Sequence, residues 1–529
     1  MKTPTFALVL AAALAGAVLF RTPYRASDLD VVPDSVEYAV GACRLAAAGQ
    51  YDIPVGGERH PPRYPPWFSL LVLAPACFLL GPEEPGHAVF PVLLFGLAGA
   101  VFAFRLAARV SGSRGGFVAV ALLLLLPLYR FYGCRIMTDV PVAALVLAAA
   151  LLYAHIRTDA RCSRAAWLAA GLAIALAAGL RPVCCSMVLP FLCRKQPGDD
   201  RRAYAARLAR LLAPGAILAA ATLVYNTRTF GSPLRTGYHY WCAFPYEFPG
   251  LVLSWTHFGP NLRVLARSSL PALVLLACLA ALLRRRGPAR ADSAPGGARN
   301  LRALVEFAVL GTGPIVLFHL AYFYPDARFY LPATVLAAVS AAACTGRLLP
   351  DRVRPALTPA AALALAGVVA GRCLLPAPPP PRRAAADRIL RHTPRGSWVL
   401  SSLDPVYLEF LTARCRERRI VPLTRGVEYA SKVVSRTPLG IPRPPGDWRD
   451  FPRQALLRAG AREAVPWVAA EGLTAIEKWI RGGGRAFVET GAADADTIQR
   501  LAARFRFIRR DEDLYELEPD GRQRPAGAR

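Results

Sequence analysis

Lysine is nearly missing from this chain. Lys2, Lys195, Lys432 and Lys478 are its only four, although lysine and arginine together number 64. Charge of either sign is sparse as well, at 19% of 529 residues, where a soluble enzyme of this size carries about a quarter. With 54% hydrophobic residues and a mean hydropathy of +0.32, that deficit excludes an ordinary soluble protein. A net charge of +28 would suit a nucleic-acid partner only if the cations shared one soluble face. They do not. Arg105, Arg109 and Arg114, then Arg157, Arg161 and Arg164, then Arg284, Arg285 and Arg286 stand at the ends of apolar runs. That is a topology signal, and nucleic acid is excluded as a partner. The 12 cysteines show neither zinc spacing nor a disulfide framework. Cys77, Cys184, Cys185, Cys278 and Cys344 lie inside apolar stretches, where cysteine serves as a small buried hydrophobe. His239 and His257 lack carboxylate or cysteine neighbours at ligand spacing, so the sequence names no metal site and no cofactor, and a divalent cation stays open.

What the chain does have is apolar runs near the length of a bilayer crossing, recurring to about residue 375. The expected spans are 4–20, 88–107, 116–128, 139–156, 166–180, 182–193, 208–225, 268–284, 303–323, 329–346 and 356–375. The run 68–80, about 13 residues, is short for a crossing and reads as re-entrant or interfacial. With it left out, the arginine clusters after 105, 157, 194, 284 and 347 all fall in the cytoplasm. The same parity places 21–87, 129–138, 226–267, 324–328 and everything after 375 on the outer face, with the N-terminus inside. Residues 4–20 read as a retained anchor, and a cleaved signal peptide would export the first loop equally. The expected fold is a polytopic α-helical protein of the cell (inner or plasma) membrane with about 11 transmembrane helices. A C-terminal extracytoplasmic α/β domain follows, giving a membrane region over 1–375, a proline-rich connector over 376–383 and a soluble domain over 384–529.

The chemistry concentrates in the outer loops. In the first, 21–87, Pro33-Asp34-Ser35-Val36-Glu37-Tyr38 is followed by Gly49-Gln50-Tyr51 and Arg63-Tyr64-Pro65-Pro66. Asp34 reads as the cap of a helix over about 35–48, in a capping-box pattern with Glu37. Its functional alternative is a general base for an acceptor hydroxyl, the two roles being compatible. Asp139, in Met137-Thr138-Asp139-Val140-Pro141, makes an ordinary helix entry; orienting an acceptor or binding a cation is its functional alternative. Arg328 sits in the turn Tyr324-Pro325-Asp326-Ala327-Arg328-Phe329-Tyr330, on the face that topology depletes of cations. Asp326 is its bland partner. A lipid phosphate is the functional one, because a guanidinium grips phosphate bidentately.

In order along residues 1–350, these loops resemble the GT-C superfamily of polytopic glycosyltransferases, which includes protein O-mannosyltransferases and lipid A aminoarabinose transferases. The resemblance is carried by Asp34 and Tyr38, Gly49-Gln50-Tyr51, Arg63-Tyr64-Pro65-Pro66 and Thr138-Asp139-Val140-Pro141. Gly179-Leu180-Arg181-Pro182, Phe230-Gly231-Ser232-Pro233-Leu234 and Arg328-Phe329-Tyr330-Leu331-Pro332 extend it. It implies a glycosyltransferase moving a hexosyl or pentosyl group from a polyprenyl-phosphate-linked sugar to a lipid, glycan or protein acceptor on the outer face. Asp34 would be the base of an inverting transfer, with Asp139 as the second acidic group of the site. Glu37, Tyr38, Arg63, Tyr64, Arg181, Arg328 and Tyr330 would contact the donor. Many relatives carry adjacent Asp-Glu where this chain has Asp34-Ser35 and then Glu37, which leaves the part played by Glu37 open.

The tail reads as alternating short strands and helices. Strands are expected at Trp398–Ser401, Ile420–Leu423, Ala486–Glu489 and Leu514–Leu517, with helices near 384–392, 405–413, 471–482 and 494–504. No glycine-rich phosphate loop or metal motif occurs there, so the tail binds an acceptor or braces the membrane part. Two other functional classes stay open. A lipid or solute transporter or flippase would show paired interrupted helices in two halves, and an ion path would need more intramembrane charge than Glu306 and His319 supply. A non-catalytic membrane scaffold with an external sensor domain is the third.

Overall fold

The computed structural model of the chain describes residues 29, 31–55, 58–158, 163–193, 200–241, 246, 249–269, 297–348, 381–401, 410, 418–422, 470–492 and 495–520. These fall into two compact units, one within Val89–Tyr225 and Leu253–Ala377, the other within Tyr24–Ala88, Asn226–Val252 and Pro378–Arg529. The expected spans 4–20 and 356–375, nearly all of 268–284, and the expected helix 405–413 apart from Phe410 lie outside the described residues.

The first loop opens with helix α1 (Pro33–Ala48). Pro33 starts it because a fixed φ suits the first helical position, where no N–H is needed. Val32 is extended (φ −104°, ψ 164°) and holds the capping position. Asp34 therefore lies in the first turn, and the expected capping box is not formed: Pro33 begins the helix before Asp34 can act as its cap. The carboxylate instead sits at the positive end of the helix dipole. Gly49, at φ +66°, ends the helix and donates its N–H to the Leu45 carbonyl at 3.0 Å, a conformation that glycine adopts without strain. From Ser35 to Cys43 the helix is buried on every side.

Strands β1 (Ile53–Val55) and β2 (Glu58–His60) then pair antiparallel, Ile53 opposite His60. A π-helical turn, Ser69–Leu73, leads into helix α2 (Ala74–Leu80). At 1.5 Å per residue this stretch is too short for a hydrocarbon core of about 30 Å. It buries Val72, Leu73 and Cys77 while Phe78 and Leu79 stay 71% and 78% exposed, as an interfacial segment does.

The membrane unit begins with α3 (Val89–Leu125), which is two helices joined across a break at Ser111 and Gly112. Gly112 takes φ +77°, which accounts for the gap between the expected spans 88–107 and 116–128. The arms pack closely: a Cβ on Gly116 would lie 2.6 Å from the Phe104 ring. After the short helix α4 (Pro127–Tyr132) comes α5 (Asp139–Thr158), whose 20 residues cover about 30 Å. Its alanines Ala143, Ala144, Ala149 and Ala150 are fully buried, small enough to let neighbouring helices approach. Helix α6 (Arg164–Leu180) stops at Arg181, which is extended (φ −145°, ψ 105°) because Pro182 follows it. Pro182–Val188 continues as a 3-10 turn, and α7 (Arg201–Phe230) is a 30-residue helix.

Helices α8 (Gly297–Phe307) and α9 (Gly313–Ala321) are joined by a π-turn, Ala308–Thr312. The intramembrane Glu306 is satisfied by Tyr153 and Arg302, both at 3.1 Å, and by Arg157 at 3.6 Å. Helix α10 (Leu331–Leu348) closes the unit. Among the described residues, five helices are long and apolar enough to cross a membrane, by length and composition: Pro85–Leu125, Asp139–Thr158, Arg201–Phe230, Gly297–Ala321 and Ala327–Thr345. Exposed Ile217 (71%), Val309 (63%) and Leu317 (63%) give them apolar outer surfaces. The chain is a multi-pass helical membrane protein.

The tail starts at helix α11 (Pro381–His392), inside the expected connector 376–383. Strands β3 (Trp398–Ser401) and β4 (Arg419–Pro422), helix α12 (Ala470–Arg481), strand β5 (Ala486–Glu489), helix α13 (Ala495–Ala502), and strands β6 (Phe505–Arg509) and β7 (Leu514–Pro519) follow. They form one sheet in the order β4-β3-β5-β7-β6. β3 pairs parallel with β4 and β5, while β7 runs antiparallel to β5 and β6. Val399, Leu400, Phe487, Val488 and Leu517 make its core. In β7, Glu516 receives Arg485 Nε at 2.6 Å and Nη2 at 2.8 Å, and Arg510 Nε at 2.8 Å. The hydrogen bonds from Arg485, then those from Arg510, outweigh burial and hold the Glu516 carboxyl below its usual range.

A carboxyl with a depressed folded-state pKa stabilises the fold above its unfolded pKa of about 4.3 and loses that effect as the pH falls through the folded value. Glu516→Gln should therefore destabilise the tail near neutral pH by about 1 kcal/mol, given so exposed a partner as Arg485, read as a lower denaturant midpoint. It should also flatten the acid limb of the stability curve, read from tryptophan fluorescence. An unchanged acid limb would remove Glu516 as its cause.

Candidate active site

Two charged clusters hold the residues singled out from the sequence, one in each unit. In the first-loop unit, Asp34 and Glu37 stand three positions apart on α1 and so share a face. Glu37 is wholly buried. Its Oε2 accepts the Arg63 backbone N–H at 3.1 Å and its Oε1 accepts Arg63 Nε at 2.5 Å, with Nη2 closing on the same oxygen. Arg63 Nη2 also lies 3.8 Å from Asp34 Oδ1. The Asp34 side chain is 18% exposed and that of Glu37 is 0%. Asp34 is thus the carboxylate of this pair that keeps part of its side chain at the surface.

Aromatic rings wall the cluster. Tyr38 lies against Tyr64 with centroids 4.4 Å apart and meets Phe68 edge-on at 4.9 Å, while Tyr64 meets Tyr238 edge-on at 5.6 Å. Burial pushes the Tyr64 phenol well above its ordinary pKa, so it stays neutral. Tyr51 fastens the segment after Arg63 by donating its hydroxyl to the Tyr64 carbonyl at 3.2 Å. Gly237 lies so close to this backbone that a Cβ would sit 2.5 Å from the Arg63 carbonyl oxygen. Only glycine allows that approach.

In the membrane unit, Asp139 is the first residue of α5 and wholly buried. Arg181 Nη2 donates to its Oδ1, and Oδ2 has no hydrogen-bond partner among the described residues. Arg181 Nη1 donates to the Arg328 carbonyl at 3.3 Å, which ties the end of α6 to the 3-10 turn Ala327–Tyr330. Asp326 caps that turn, its Oδ1 accepting the Arg328 N–H at 3.0 Å and its Oδ2 lying 3.1 Å from Arg328 Nε. The bland pairing weighed for Arg328 is therefore made.

Both guanidiniums lie over the Phe329 ring, Arg181 at 5.5 Å and Arg328 at 5.3 Å, and His319 stacks on the same ring at 4.6 Å. Burial, with Asp326 and Asp139 nearby, raises the pKa of the Tyr132 phenol. Two cations on an aromatic face, each steadied by one carboxylate, form a group suited to an anionic ligand. Tyr330 is 1% exposed and its hydroxyl is directed at the Asn261 carbonyl at 3.5 Å; it packs behind the turn.

The sequence reading passed over Tyr51, Gly237, Tyr238, His319 and Phe329 as parts of these clusters. Tyr51 and Phe329 stand inside Gly49-Gln50-Tyr51 and Arg328-Phe329-Tyr330-Leu331-Pro332, but His319 has no local signal: it reaches Phe329 from another helix.

A family model described as dolichyl-phosphate-mannose-protein mannosyltransferase matches residues 62–228. That stretch contains Arg63, Tyr64, Asp139 and Arg181. The fold is similar to the crystal structure of ArnT from Cupriavidus metallidurans bound to undecaprenyl phosphate, with a TM-score of 0.61, 14% identity and 98% of each chain covered. The apo structure of the same protein gives a TM-score of 0.60, also at 14% identity and with 98% of each chain covered. No match was found among curated proteins. The family-model match and the shared fold bear out the resemblance to the GT-C superfamily of membrane glycosyltransferases.

Removing one partner of a buried ion pair strands the other. Arg63→Ala should lower stability by about 3–5 kcal/mol, read as the thermal midpoint in detergent, because Glu37 would keep its buried charge. Replacing both, as Glu37→Gln with Arg63→Met, should recover most of the loss. An Arg63→Ala protein that melts like the wild type would show the pair to be structurally idle.

Proposed function

We propose that the protein transfers a sugar from a polyprenyl-phosphate donor to an acceptor hydroxyl on the outer face of the membrane, with inversion. The observation that carries this reading is the division of labour among its carboxylates. Glu37 spends both oxygens on Arg63, whereas Asp34 keeps part of its surface open. Support for the donor comes from the similar fold of a protein whose structure holds undecaprenyl phosphate.

In this reading Asp34 takes the proton of the acceptor hydroxyl as that oxygen attacks the anomeric carbon. The bond from the anomeric carbon to the phosphate oxygen breaks on the opposite side, and the lipid phosphate departs. Arg181 and Arg328 carry the developing negative charge, already oriented by Asp139, Asp326 and Phe329. A phosphate leaving group needs little protonation, so no separate general acid is called for. Asp139 orients Arg181 and is the second acidic group of the site. The N-terminus is cytoplasmic and the tail is on the outer face of the cell membrane.

Asp34→Asn should leave the fold intact, because Val32 holds the capping position, and should slow transfer by roughly two to four orders of magnitude. Wild-type transfer by Asp34→Asn would rule Asp34 out as the base. Arg328→Ala should weaken binding of a polyprenyl-phosphate sugar, with only partial rescue by Arg328→Lys, which lacks the planar fork. Unchanged donor affinity would take Arg328 out of the site. A reporter active only in the cytoplasm, fused after Arg529, should stay silent.

A further inference from the structure

Cys43 on α1 and Cys77 on α2 are brought together inside the first-loop unit, Cys43 Sγ donating to Cys77 Sγ at 3.1 Å across a sequence separation of 34. Both are buried, at 6% and 0% exposure. The intervening chain holds the β1–β2 hairpin, Arg63, Tyr64 and the π-turn. A bond between the two sulfurs would therefore close a loop around the arginine that pairs with Glu37 and Asp34.

We infer that Cys43 and Cys77 form a disulfide that staples the helix bearing Asp34 to the interfacial segment Ser69–Leu80. This rests on the outer-face placement of the first loop, since disulfides persist in oxidising compartments. Each thiol gives up its hydrogen as the sulfur–sulfur bond forms. The two protons and two electrons pass to an external disulfide, which is cleaved to two thiols. Once α1 is packed, the contact with Cys77 and burial keep Cys43 protonated, and the thiolate is the attacking form. The exchange accordingly takes place while the loop is folding, and the finished bond is shielded from reductant. The staple restricts the unfolded loop and stabilises the cluster through the chain entropy it removes.

The full-length protein is denatured from cells in the presence of a thiol-alkylating reagent, digested and mapped by mass spectrometry. The expected result is one linked peptide pair, Cys43 with Cys77, lighter by two hydrogen atoms than the two thiol peptides and alkylated only after reduction. Loop placement is read independently by Glu83→Lys, at an exposed position, labelled in intact cells with an impermeant amine reagent. A labelled loop whose two cysteines are both alkylated without reduction overturns the disulfide. An unlabelled loop overturns the outer-face reading on which it rests. Reductant, which reaches the bond once heating opens the loop, should also lower the melting midpoint of the wild type by roughly 3 °C or more and leave Cys43→Ala/Cys77→Ala unmoved; an equal response in both overturns the staple.

Discussion

The first-loop unit depends on the burial of Glu37. A carboxylate taken wholly out of water is costly unless a cation and hydrogen-bond donors replace its hydration. Arg63 supplies a cation and several donors at once: its backbone N–H and two guanidinium nitrogens converge on Glu37. A residue 26 positions away along the chain is thereby fixed against α1, and its neighbours are fixed with it. Tyr64 falls beneath Tyr38, Tyr51 is drawn over the carbonyl of Tyr64, and the passing backbone at position 237 has room for glycine alone. Asp34, one turn before Glu37, shares the same guanidinium. Its position follows from a structural requirement that Glu37 imposes.

The membrane unit meets the same electrostatic problem with helix ends. A lipid-exposed backbone must be hydrogen-bonded within its own element, so irregular chain is confined to places covered by protein or open to water. The charged residues of this unit's cluster all sit where helices start or stop. Asp139 opens α5, Arg181 follows the last residue of α6, and Asp326 and Arg328 lie in the turn before α10. Pro182 is the local cause at one of them, because it forces Arg181 out of the helical region and turns its guanidinium towards Asp139 and the Arg328 carbonyl. The proline in Gly179-Leu180-Arg181-Pro182 thus has a physical task.

Much of this was legible in the sequence, and the failures have local causes. Asp34, Glu37, Arg63, Asp139, Arg181 and Arg328 were found because charges are rare in so apolar a chain. The breaks between spans were visible wherever glycine or proline marks them, as at Gly112. Asp34 was misread as a helix cap because the Asp-x-x-Glu spacing is a capping signature, and Pro33 overrides it by starting the helix two residues earlier. Strand β6 was missed because, as an edge strand, it leaves Arg506 and Arg509 exposed in a stretch without a full apolar alternation. The Cys43–Cys77 contact carried no signal at all, since pairing across 34 positions is a property of the packed unit.

The choice among the acidic residues follows from what each oxygen is already doing. A general base needs a lone pair aimed at the substrate and a route by which the proton later leaves. Glu37 has neither, since both oxygens are bound to Arg63 and no surface is open. Asp139 gives Oδ1 to Arg181 and is also fully buried, a position from which it orients a cation. Asp34 touches its arginine at 3.8 Å, beyond hydrogen-bonding range, and is 18% exposed. Among Asp34, Glu37 and Asp139, Asp34 has the most open side chain, and on that ground it is the one proposed as the base.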